Sequence, residues 1–108
     1  MDIYREIIEH MIEEFKKHSK FVHVSRIRKP SPTLSSNMIS LLGDEFKLEC
    51  NMVINFQNYR LTITNDDIIE MCHYNHKHII SAPITEPEGI EKIIEETLKY
   101  AFPGYDGN

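Results

Sequence analysis

The chain has 108 residues, 41% hydrophobic and 27% charged, a balance that fits a folded domain and excludes a disordered one. A formal charge of −5 argues against non-specific nucleic-acid binding, which needs a basic field, and apolar runs of only a few residues exclude a membrane span. Cys50 and Cys72 form neither a CxxC pair nor a disulfide framework, so a reducing, cytoplasmic setting is expected.

The first segment reads as a helix. Ile7, Ile8, Met11, Ile12 and Phe15 make one apolar stripe, and Asp2 can cap its start. Glutamates come early and Lys16, Lys17 and Lys20 late, which suits the helix dipole. This charged first turn also excludes a signal peptide. Residues 21–28, rich in β-branched types, predict a strand that Pro30 and Pro32 end. Residues 33–44 fit either a short helix capped by Ser36 or a hairpin arm turning at Gly43-Asp44, with the strand slightly preferred.

Residues 46–56 alternate strictly. Phe46, Leu48, Cys50, Met52, Ile54 and Phe56 predict one buried face, and Lys47, Glu49, Asn51 and Asn55 the opposite one. A turn at Gln57-Asn58 would then lead into a strand over 59–65, with Met52 facing Ile63. After a turn at Asn65-Asp66-Asp67, residues 68–74 and 78–82 suggest a second hairpin around Asn75-His76-Lys77, with a short helix over 66–74 as the competing reading. Thr85-Glu86-Pro87-Glu88 has the form of a capping box, and Ile90, Ile93, Ile94, Thr97, Leu98 and Ala101 form the stripe of a final helix. Residues 102–108 are expected to fray.

The expected architecture is a single α+β domain over residues 1–108. It is a two-layer sandwich with N- and C-terminal amphipathic helices on one face of an antiparallel meander of about four to six strands. Ile8, Ile12, Phe15, Leu48, Met52, Ile54, Leu61, Ile63, Ile90, Ile94 and Leu98 are its expected core.

Three constellations carry possible chemistry. Cys72, His73, His76 and His78 lie within seven residues and are of zinc- and copper-ligating types. Consecutive strand residues point to opposite faces, so at most His73, His76 and His78 would converge, and no metal or other cofactor is expected. Cys50 shares the buried phase of its strand and should be inert. The paired acids Glu13-Glu14, Asp66-Asp67 and Glu95-Glu96 read as surface charge, and no phosphate-binding glycine loop is present. Arg26 and Arg28 share one side of a strand and could grip a carboxylate or phosphate.

These features predict a non-enzymatic protein-binding module, of the size and acidity of an inhibitor, immunity protein, adaptor or chaperone. It would use Arg26, Arg28, Asn55 and Arg60 on an exposed sheet face, or pair through a free edge into a homodimer. The alternative expectation is a metal- or small-molecule-binding protein using the His73–His78 hairpin. Sixteen isoleucines against two alanines suit A/T-rich coding, as in a low-GC bacterium or its phages, with host cytoplasm as the setting in the latter case.

Overall fold

The computed structural model describes residues 2–29, 46–73 and 77–104. In chain order they form α1 (Ile3–His18), β1 (Val22–Arg28), β2 (Phe46–Ile54), β3 (Gln57–Thr64), β4 (Ile68–His73), β5 (Lys77–Pro83) and α2 (Pro87–Ala101). The two readings of 33–44, the position of His76 and the tail from 105 lie outside the described residues.

The strands make one antiparallel sheet in the order β1-β2-β3-β4-β5, with both helices packed against it. Residues 68–73 are strand, not helix. Asp2 caps α1 by accepting from the backbone amides of Tyr4 and Arg5. From α1, Ile8, Met11, Ile12 and Phe15 are buried, and from α2 Ile90, Ile93, Ile94, Thr97, Leu98 and Ala101. They meet Leu48, Cys50, Met52, Ile54, Tyr59, Leu61, Ile63, Ile69 and Met71 in one apolar layer. All eleven residues expected in the core are buried there. Outside that layer, His10 of α1 and Glu91 of α2 approach to 3.2 Å and link the helices at the surface.

Four local features depart from the sequence expectation, each for a physical reason. The β2–β3 turn is Asn55-Phe56, not Gln57-Asn58. Both turn residues have positive φ, 50° and 68°, the pattern of a type I′ turn, whose twist matches the strands it joins. Met52 therefore faces Tyr59 rather than Ile63. The partner moves by an even number of residues, so the side chains that stay within the paired strands keep their faces. Phe56, expected on the buried face, falls in the turn and is exposed.

Secondly, a bulge falls between Phe46 and Leu48. Phe46 pairs with Thr64 and Leu48 with Ile63, so Phe46 leaves the core face and Lys47 leaves the outer one. The Lys47 ammonium donates to the Tyr4 hydroxyl of α1 and to Asp67, clipping helix to sheet. Thirdly, β1 carries a bulge at Ser25, between Val24 opposite Met52 and Arg26 opposite Asn51. Val22 and Val24 are in even phase and Ile27 in odd. The extra residue lets all three pack on the core while Arg26 and Arg28 face away.

Lastly, the capping box does not form. Pro87 opens α2, which makes Glu86 rather than Thr85 the N-cap, and no side chain caps it. Proline is favoured at the first helical position and here decides the boundary.

Candidate functional site

With the helices on one face, the opposite face of the sheet displays two adjacent cross-strand rows. One runs Arg28, Glu49, Thr62, Glu70, Ser81; the other runs Arg26, Asn51, Arg60, Cys72, His78. Side chains on one face of neighbouring strands stand close enough to interact along such rows and across their diagonals.

In the first row Arg28 and Glu49 neutralise one another. Glu49 is only 6% exposed, and its Oε1 accepts from Arg28 Nη2 at 3.4 Å and from Asn51 Nδ2 at 3.0 Å. A buried carboxylate is stable only when so partnered. The second row is different. Among the described residues, neither Arg26 nor Arg60 has a carboxylate within ion-pair distance. The Arg60 guanidinium lies 5.6 Å from the centre of the Phe46 ring, and its Nε is buried with no hydrogen-bond partner. The bulge that turns Phe46 outward thus supplies the surface on which Arg60 rests.

These residues surround a depression of about 560 Å³. It is lined by Ser25, Arg26, Glu49, Asn51, Asn58 and Arg60, with Tyr59 and His73 also contributing. Arg26 and Arg60 flank Asn51, so their backbones stand two strand spacings apart, roughly 10 Å. Two extended arginine side chains can close that span over a common small group.

Of the residues expected to form a contact, the structure brings Arg26, Arg28 and Arg60 to this face and leaves Asn55 out. Asn55 sits in the hairpin turn, where its Nδ2 donates at 2.8 Å to the carbonyl of Ala101 at the end of α2, and its backbone amide donates to Phe21. It satisfies a helix-end carbonyl that has no partner within the helix. Sequence reading missed Ser25, Phe46 and Asn58. The two apolar phases within β1 were the available sign of the bulge that places Ser25.

The two described histidines of the hairpin, His73 and His78, do not share one side. His73 pairs with Lys77 and turns inward, its Nε2 2.9 Å from Gln57 Oε1 and its ring 5.2 Å from those of Tyr59 and Tyr100. His78 pairs with Cys72 on the outer face, 3.9 Å from Glu70. Among the described residues, no group of three or more His, Cys, Asp or Glu is placed to hold a metal ion.

Both thiols are held protonated. Burial pushes Cys50 up to about 11, and burial followed by the hydrogen bond it donates to Glu70 pushes Cys72 up to about 11. Neither has the thiolate character of a nucleophile.

Comparison of the chain with family models, curated proteins and solved structures finds no match.

Proposed function

We propose that the protein is a non-enzymatic protein-binding module that engages its partner through the outer face of the sheet. The observation that carries this reading is the placement of Arg26 and Arg60 around one depression on the outer face, with Arg28 beside it on Glu49, in a chain of net charge −5. Arginine is favoured at protein contacts because its planar fork binds carboxylates and carbonyls and sheds water readily. Asn51 and Asn58, which line the same depression, add hydrogen-bonding groups with small desolvation costs.

The face is a better candidate than the edges. Among the described residues β1 and β5 end the sheet, but each carries a bulge, at Ser25 and at Ile79, and β5 has Lys77 and Pro83 at its ends. Bulges, lysine and proline are the features that discourage strand addition.

The test is capture of the partner from native cells with the intact chain, repeated with charge reversals. Arg26→Glu and Arg60→Glu should each lose the partner while keeping the native circular dichroism spectrum. Glu13→Lys on α1 and Glu95→Lys on α2 should retain it. Retention in the first pair together with loss in the second would move the contact to the helices and overturn the reading.

A further inference from the structure

We infer that the depression between Arg26 and Arg60 is a carboxylate-binding site, and that the segment it receives is an acidic, extended stretch of protein. This rests on the reading of the outer face as the contact surface and names the chemistry of the group that docks there.

The argument begins with charge. Arg28 spends its charge on Glu49, which leaves Arg26 and Arg60 as the unpaired cations lining the depression among the described residues. Arg60 is pre-positioned. Its guanidinium is stacked near Phe46, and its Nε has lost water without gaining a partner. A desolvated, immobilised cation gains more from an incoming anion than a solvated one, because the local dielectric is lower and little side-chain freedom remains to be lost.

Geometry narrows the ligand. The cations straddle Asn51 at roughly two strand spacings, and Asn51 Nδ2 is already committed to Glu49. A carboxylate above Asn51 can accept from both arginine forks, whereas apolar or cationic groups would leave both charges buried and unpaired. Glu49 also lines the site, but its charge is met by Arg28, so the charge left open there is that of Arg26 and Arg60. Two neighbouring cations match the carboxylates of a peptide, whereas the long phosphate backbone of a nucleic acid needs an extended basic field that this chain lacks.

The experiment is a two-dimensional amide NMR titration of the full chain with an acetylated, amidated tetraglutamate peptide. Its glutamine counterpart, inorganic phosphate and a short oligothymidylate serve as comparison probes. The glutamate peptide should shift the amides of Arg26, Asn51, Asn58 and Arg60 in a salt-sensitive manner, and the glutamine peptide should not. Arg26→Gln and Arg60→Gln should each weaken binding about tenfold, the loss expected for one charge-assisted contact. Arg5→Gln on α1 should have no effect. Equal Arg60→Gln and native thermal midpoints would show that the loss is not unfolding, and Arg26→Gln, on an edge strand, gives a second reading.

No shift at these residues with the glutamate peptide, or tighter binding of oligothymidylate or phosphate, would overturn the inference. The outer-face reading fails separately, when the captured partner ignores Arg26→Glu and Arg60→Glu. If those reversals abolish capture while the glutamate peptide leaves the depression unperturbed, the face stands and the carboxylate assignment falls.

Discussion

Phe56 is the residue most at odds with its surroundings. It is 77% exposed and has φ 68°, a backbone region that side chains beyond glycine, asparagine and aspartate seldom adopt. Its ring rests 5.2 Å from that of Phe21, itself 46% exposed. Phe56→Gly and Phe56→Ala both remove this contact, so comparing them isolates the backbone cost. The glycine variant should be the more stable by about 1 kcal/mol in urea unfolding. Equal midpoints would mean that the turn relaxes out of the left-handed region.

The two cysteines yield a prediction with a definite sign. Both thiols are raised from about 9 to about 11 in the folded chain. Their contribution to stability is therefore complete below pH 9 and lost as the pH rises from 9 to 11. At pH 8 the native chain should react negligibly with an aromatic disulfide reagent, while the urea-unfolded chain should release two thiols. Rapid native reaction would show that at least one thiol is far more accessible than its burial implies.

Among the elements, α2 illustrates a conflict between local propensity and packing. Gly89 lies in its first turn, and a Cβ built there would come within 2.7 Å of the Ala82 Cβ on β5. Helix propensity alone favours alanine by about 1 kcal/mol. The clash is with a methyl fixed to a strand backbone, which cannot swing aside, so Gly89→Ala should lower stability by about 1–3 kcal/mol. A higher denaturation midpoint in Gly89→Ala would show that α2 can lift off the sheet at little cost.

The Lys47 clip ties α1, β2 and the β3–β4 turn together. Its hydrogen bond to Asp67 holds that carboxyl below the usual carboxylate range, and the same contact raises the Lys47 ammonium. A lowered carboxyl stabilises the fold above its unfolded pKa, and that contribution disappears as the pH falls through the folded value. In Lys47→Met, the Asp67 titration followed by carbon NMR should move up toward about 4, and the acid unfolding transition should lose its Asp67 increment. An unmoved Asp67 titration would mean that its surroundings, not Lys47, lower it.

On the scale of the whole molecule, charge is unevenly spread. Glutamates crowd the outer sides of both helices, while Arg26, Arg28 and Arg60 lie on the opposite face of the sheet. Protonating all six histidines takes the formal charge from −5 to +1, so neutrality is crossed in mild acid and solubility should be least between about pH 5 and 6.5. A featureless solubility profile across that range would show that several histidines fail to take up protons.

Periodicity by itself determined the two helices, the strand over β2, the meander and the eleven residues expected in the core, but not the ends of β2, where Phe46 and Phe56 leave the buried face that alternation gave them. Those depend on which face each side chain takes, and a face is set by the residue's phase within its own element. Details that depend on two segments at once were decided only in the tertiary structure. The β2–β3 turn could slide without changing the face of any residue that stays in the strands, so the apolar pattern was silent on it, and turn geometry chose Asn55-Phe56. The bulges at Ser25 and Lys47 reconcile conflicting phases, and their placement depends on the strand opposite. The site depends on them most. Only when Ser25 keeps Arg26 on the outer face do residues from four strands come to surround one depression, with Phe46, turned outward by the second bulge, beneath Arg60.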